Sequence, residues 1–266
     1  MFMGENMKRF KNKIFKIIIL IFVFLIISFF VWASSYSNAT EKAKSYLYSN
    51  SEVEVKIEQN FINPGIDLQV LYIFSPVNKK TDTGLIIYPG GKVDPKAYST
   101  IAFMLAEKGI ETIIVPMPFN FAIFGINRAR KVIEGYSNIE NWFIAGHSLG
   151  GVAASSFTKK NSKMIDGLIL WASYPANSDN ISNINLPVLS IYGELDGLST
   201  PDKIEKAKKL LPDSTIYYEI VGGNHAGFGD YGEQNGDNPA DISLEDQHEK
   251  IVEVTSNFIN ESISNK

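Results

Sequence analysis

Ser148 lies in Gly146-His147-Ser148-Leu149-Gly150, after the apolar run Trp142-Phe143-Ile144-Ala145 and before a helix-like stretch at 152–160. A serine hydroxyl is a poor nucleophile until a base takes its proton and a third group orients that base. Gly-x-Ser-x-Gly between a strand and a helix is the pattern of a nucleophile elbow, a tight turn that lifts Oγ clear of the sheet. Glycine two residues to either side leaves out side chains that would collide with the neighbouring strand or helix. The chemistry this predicts is attack of Ser148 Oγ on a carbonyl, provided a histidine and an acid follow.

Three histidines are available: His147, His225 and His248. His147 adjoins the serine. Adjacent elbow side chains diverge, so it is expected to pack under the turn. His248 sits in a charged helical stretch, 241–250, and is expected on the solvated surface. His225 lies in Gly222-Gly223-Asn224-His225-Ala226-Gly227-Phe228-Gly229, directly after a strand-like run at 215–221. Its glycines leave the imidazole free to reach across a sheet edge, although a histidine satisfied within its own turn would fit the same loop.

The acid comes from 187–198, a buried strand that Gly193 breaks. Asp196 falls in the loop beyond the strand's C-terminal end. Asp196-Gly197 is also an ordinary turn pair. Glu194 is the rival carboxylate, nearer the strand end and expected to face away. The order Ser148, Asp196, His225 is the Ser…Asp…His order of a single fold class.

With these residues the chain resembles the α/β-hydrolase superfamily over roughly 53–262, and is most similar to its small, capless, dienelactone-hydrolase-like branch. The likeness extends to Tyr88-Pro89-Gly90-Gly91-Lys92-Val93-Asp94-Pro95 after the third strand and to the His225 loop. Two departures stand out. Pro89-Gly90 replaces the usual His-Gly pair. Founding members of the branch use a cysteine nucleophile, and this chain has no cysteine. The resemblance therefore implies serine-esterase chemistry without a cofactor. It also implies an oxyanion hole from the Leu149 amide and the Gly91 amide, with Lys92 as the rival to Gly91.

The elements that must position these groups alternate in type. Apolar runs at 83–88, 111–115, 165–171 and 187–192 are separated by helical stretches at about 96–108 and 201–211. That pattern predicts βα units, an α/β fold and a mostly parallel eight-stranded sheet flanked by helices. Residues 51–61 and 67–74, with Asn63-Pro64-Gly65 between them, predict an opening hairpin. A helix at about 242–259 closes the domain. Larger members of the superfamily insert a helical cap after the strand ending near Trp171. Only about ten residues, 177–186, are available here, too few for a cap. The remaining cover is Pro116 to Phe124. Phe119, Phe121 and Phe124, with Phe228, are candidates to line an acyl pocket. The competing reading makes them core residues of a helix over 121–134.

Lys8, Arg9, Lys11, Lys13 and Lys16 precede an apolar run, 17–33, interrupted by Ser28 alone. As a helix, 14–33 spans about 30 Å, the thickness of a bilayer core. The expected organisation is a cytoplasmic basic segment (1–13), a retained single-pass anchor (14–33), a linker (34–50) and a catalytic domain (51–266). The basic flank places the domain on the extracytoplasmic side of the cell membrane. Secretion after signal cleavage is the alternative, with Val31-Trp32-Ala33 and Ser37-Asn38-Ala39 as passable sites.

The first sixteen residues hold five of the 25 basic and one of the 29 acidic residues, which leaves a net charge of −8 beyond them. That balance disfavours nucleic acid and anionic lipid headgroups as partners. Asp230, Asp237 and Asp241 lack the spacing of a calcium loop and are expected in solvated turns. The expected partners are a small-molecule acyl ester and, through the N-terminal helix, a membrane. An acyltransferase on the same machinery, or a tethered binding protein without catalysis, are the alternatives.

Overall fold

The computed structural model describes residues 2–63, 67–79 and 81–266. The Pro64-Gly65 turn of the expected hairpin lies outside them. The chain divides into two units, one ending at Tyr36 and one running from Ser37 to Lys266.

The first unit is a helix, α1 (Phe2–Ser34). Its stretch Asn12–Phe29 has a mean hydropathy of 2.4 and none of it is buried. By length and composition it is sufficient to cross a bilayer. The helix begins well before Ile14, so the basic segment continues the same helix.

The second unit starts earlier than the expected domain. Ser37 forms a parallel bridge with Val93, and α2 (Glu41–Ser45) is capped by Thr40, whose Oγ1 accepts the Ala43 amide at 3.1 Å. Ala39 and Ala43 are buried. Residues 37–50, expected as linker, are thus docked on the domain. Ala39 and Ala43, the half-buried Tyr46 and Leu47, and main-chain bonds at Ser37 and Thr40 dock them.

The expected hairpin forms as β1 (Val53–Asn63) and β2 (Asp67–Pro76), antiparallel, with Val53 opposite Pro76. β3 (Thr83–Tyr88) leads through a 3₁₀ turn to α3 (Ser99–Glu107). Gly109, with φ +94°, ends that helix in the left-handed region. Then follow β4 (Glu111–Ile114), α4 (Arg128–Gly135), β5 (Asn141–His147) and α5 (Leu149–Asn161). The chain continues through β6 (Gly167–Trp171), β7 (Val188–Gly193), α6 (Pro201–Ala207), β8 (Ile216–Ile220) and α7 (Leu244–Ser264).

The eight strands lie in the order β1-β2-β4-β3-β5-β6-β7-β8. From β4 onward every pairing is parallel. Alternate residues of the central strands face opposite layers. Leu85, Ile87, Phe143, Ala145, Ile169 and Trp171 pack towards α3 and α7. Ile86, Tyr88, Ile144, Leu168 and Leu170 pack towards α4 and α5. With both faces covered, these strands read as continuous apolar runs.

Between β6 and β7, residues 172–187 hold a single 3₁₀ turn, Asn177–Asp179, and no cap. The helix expected over 121–134 is shorter. Phe121 is extended and Gly125 is non-helical, so 122–124 is only a 3₁₀ turn and α4 begins at Arg128; a second 3₁₀ turn, 118–120, precedes it, with Phe119 and Asn120 at φ +55° and +53°.

His248 is not on the solvated surface. It belongs to the inward stripe of α7, with Gln247, Ile251, Val252 and Thr255, and is almost fully buried. Burial pushes its imidazole down to about 4, with the Asp230 charge opposing the shift. Asp230 is buried too, accepting the Thr40 hydroxyl at 2.6 Å. Of the three aspartates expected in solvated turns, only Asp241 is fully exposed.

Candidate active site

The strand order reverses at β3: β4 lies on one side of it and β5 on the other. Loops leaving the C-terminal ends of β3 and β5 diverge there, opening the crevice where such sheets bind ligands. Tyr88 pairs with Gly146, so the two strand ends are level. The loop 89–92 and the turn at Ser148 are therefore neighbours.

Ser148 holds φ +51° and ψ −121°, a strained conformation for a residue with a side chain. The neighbours enforce it. A Cβ on Gly150 would lie 2.1 Å from the Tyr88 carbonyl oxygen, and one on Gly146 would lie 2.4 Å from Gly150. The Ser148 amide donates to the Trp171 carbonyl at 3.0 Å. Its carbonyl accepts the Ser173 hydroxyl at 2.6 Å. Ser173 follows Ala172, itself at φ +46°. Sequence reasoning did not single out Ser173, and only its place just past the end of β6 hints at it.

Asp196 and His225 meet in the interior. His225 Nδ1 lies 2.8 Å from Asp196 Oδ2, and both side chains are fully buried. The other carboxylate oxygen, Oδ1, accepts the amides of Leu198 at 2.8 Å and Ser199 at 2.6 Å. With Asp196 as acceptor, Nδ1 carries the proton and Nε2 of a neutral ring presents its lone pair. His225 Nε2 is buried and, among the described residues, has no hydrogen-bond partner. No hydrogen bond joins it to the Ser148 hydroxyl in this structure. Glu194 faces elsewhere, accepting the Gly222 amide at 2.9 Å.

The two loops are clamped by a residue that sequence reasoning had placed in a solvated turn. Asp237 accepts the Gly197 amide at 2.9 Å and the Ala226 amide at 2.8 Å. It ties the acid loop to the histidine loop.

His147 packs beneath the turn, as expected, and is buried. Its ring lies 4.7 Å from that of His225, centroid to centroid. Tyr98 Oη accepts the Gly90 amide at 2.8 Å and donates to His147 Nδ1 at 2.7 Å. Burial, followed by the charge of His225, holds His147 well below the ordinary histidine value. The neutral ring is a spacer between the β3 loop and His225. Phe228 stacks on it at 5.8 Å and 10° and is fully buried. Phe228 therefore supports the histidine layer and offers no surface to an acyl chain, contrary to the expectation for it.

Four backbone amides lie along the crevice. Gly90 donates to Tyr98, and Lys92 donates to the Asn120 carbonyl at 2.7 Å. Among the described residues, no protein acceptor engages the amides of Gly91 and Leu149. These two residues touch, since a Cβ on Gly91 would lie 2.9 Å from Leu149 Cδ2. Leu149 is the first residue of α5. Helix N-termini favour negative charge.

Phe119 and Phe124 are exposed and Phe121 is half-buried. Their rings form a cluster, Phe119 edge-on to Phe124 and Phe121 tilted by 41° to it, each 6.1 Å between centroids. The adjoining turn, Ala122–Phe124, packs against α5. The aromatic loop thus borders the elbow helix, and of residues 119–124 Ala122 alone is buried in the core. A separate apolar cavity lined by Ala226, Gly229, Ile242, Leu244 and Gln247 includes none of these groups.

A parallel sheet with a strained serine turn at its switch point and a buried Asp–His pair beyond later strands defines the α/β-hydrolase class. The match is direct: a model of the Alpha/beta hydrolase family covers residues 84–249, and the chain belongs to that family. Solved structures agree on the fold. Est1E from Butyrivibrio proteoclasticus superposes with a TM-score of 0.60 at 16% identity, over 80% of this chain and 100% of that one. A dienelactone hydrolase from Anabaena variabilis gives 0.61 at 14% identity, over 78% and 98%. A cold-adapted esterase from an Arctic intertidal metagenomic library gives 0.58 at 13% identity, over 79% and 96%. No curated protein matches the chain.

Proposed function

We propose that this protein is a serine hydrolase that cleaves an ester or related acyl bond, tethered to the membrane by α1. The observation that carries the reading is the buried His225, oriented by Asp196 at 2.8 Å and left with an unpartnered Nε2. A buried nitrogen without a partner is costly, and a serine hydroxyl on the adjacent elbow is the group suited to fill that position.

In this reading His225 Nε2 takes the Ser148 proton as Oγ attacks the acyl carbon. Asp196 fixes the tautomer and stabilises the imidazolium. The Gly91 and Leu149 amides, free of protein acceptors, hold the tetrahedral oxyanion. His225 returns the proton to the departing alcohol. Water then attacks the acyl-serine by the same route and releases the acid. The engaged amides of Gly90 and Lys92 support Gly91 over its rival. Phe119, Phe121 and Phe124 border the acyl side of the crevice. Family membership supports hydrolysis, and the esterases among the structural neighbours support an ester substrate. The apolar length of α1 and its basic flank support a single-pass anchor with the hydrolase outside the cytoplasm.

Ser148→Ala tests the reading. Turnover of p-nitrophenyl acetate is expected to fall by at least roughly 10³-fold with the fold intact. Undiminished turnover by that variant contradicts it.

A further inference from the structure

Three segments with separate tasks are joined by main-chain hydrogen bonds. Ser37, the first residue of the folded unit, donates to the Lys92 carbonyl at 2.8 Å. Lys92 in turn donates to the Asn120 carbonyl at 2.7 Å. The point where the chain enters the domain, the loop carrying Gly91, and the aromatic loop therefore form one continuous rim.

That rim is apolar at its outer edge. Phe119, Ile123 and Phe124 are 47%, 46% and 54% exposed. Among the described residues of the domain, the other exposed large apolar side chains are Tyr48, Ile57, Val77, Ile216 and Val221, no three of which share one loop. An exposed cluster of this kind marks a contact surface. The loop is held in place by backbone geometry: left-handed Phe119 and Asn120, followed by two 3₁₀ turns.

Chain length indicates what covers it. α1 ends at Ser34, and the three steps from there to Ser37 reach at most about 11 Å, however the two units are turned. If α1 spans a bilayer, the rim beside Ser37 cannot move far from the lipid headgroups. Aromatic and aliphatic side chains held at that depth partition into the interface.

We propose that the loop 119–124 rests in the leaflet from which α1 emerges, and that Ser148 draws its substrate from that leaflet as a lipid-borne acyl ester. The inference builds on the serine-hydrolase and anchor readings and adds the substrate class. The reaction balances as ester hydrolysis. Ser148 Oγ bonds to the acyl carbon as the bond to the lipid alcohol breaks, and the serine proton passes through His225 to that alcohol. Water then splits the acyl-serine, restoring the hydroxyl and releasing the fatty acid.

The absence of cysteine from the chain gives a clean probe. Full-length Ile123→Cys carries one nitrobenzoxadiazole label, and Ile216→Cys, at the opposite strand end of β8, carries the control. In phosphatidylcholine vesicles containing doxyl-labelled lipid, the label at 123 is expected to shift to the blue and be quenched several-fold more than the label at 216. Equal, water-like behaviour at both sites overturns the proposal. In parallel, Ile123→Asp is expected to keep p-nitrophenyl acetate turnover within about twofold while losing at least tenfold on a diacylglycerol ester held in vesicles. Unchanged vesicle-ester hydrolysis also overturns it. Failure of the serine reading shows separately, as p-nitrophenyl acetate turnover that survives Ser148→Ala.

Discussion

Asp196 uses its two carboxylate oxygens differently, and that asymmetry makes a sharp prediction. Oδ1 accepts two backbone amides, so only an oxygen fits there, while Oδ2 faces His225 Nδ1. In Asp196→Asn the amide oxygen must stay on the backbone side and the NH₂ must face the ring. Nδ1 then accepts, Nε2 holds the proton, and the base is lost. The expected fall in kcat at neutral pH is about 10⁴-fold with the fold retained, read from p-nitrophenyl acetate kinetics. A loss under tenfold contradicts the role given to Asp196. Asp196 and His225 were legible because few residues compete for their parts and their order along the chain is diagnostic. Tyr98 was not legible, because its partners Gly90 and His147 are brought to it by the fold. Asp237 was misjudged for the same reason: a turn aspartate becomes a clamp only once two loops converge on it.

At the scale of elements, the elbow depends on close backbone approach and on one hydroxyl. Gly150→Ala would set a Cβ 2.1 Å from the Tyr88 carbonyl oxygen, and backbone on both sides cannot yield. The expected destabilisation is at least about 3 kcal/mol, seen as a lower thermal midpoint or insoluble protein. Native-like stability would show that the turn relaxes. Ser173→Ala removes the 2.6 Å bond to the Ser148 carbonyl. It is expected to cost about 1 kcal/mol and to lower kcat more than it raises KM, because the serine turn loosens. The sheet was legible because its parallel strands are short continuous apolar runs bounded by turns. The helix expected over 121–134 failed in its first half because apolar spacing does not record the extended backbone at Phe121 or the non-helical Gly125. The docked segment 37–50 failed because its core contacts, two buried alanines with the half-buried Tyr46 and Leu47, form no sustained apolar run.

For the molecule as a whole, two buried neutral imidazoles contribute to its acid sensitivity. His248 is held at about 4 and His147 well below the usual value, both chiefly by burial. The unfolded chain binds these protons below about pH 6.5, and the folded chain does not. Stability therefore falls as pH drops from about 6.5 towards 4. For His248 alone the loss is on the order of 3 kcal/mol. His248→Gln is expected to flatten that part of the thermal-midpoint profile, and an unchanged profile would contradict the assignment. His248 escaped sequence reasoning because Glu245, Asp246, Glu249 and Lys250 surround it in the chain, while α7 turns it inward. The central claim is that one serine, activated by one histidine, attacks the substrate. Fluorophosphonate labelling of the full-length protein, mapped by peptide mass spectrometry, tests it most directly. A single adduct on Ser148 is expected, formed at least roughly 10³-fold more slowly in His225→Ala. An adduct elsewhere, or labelling of Ser148 at an undiminished rate without His225, would contradict it.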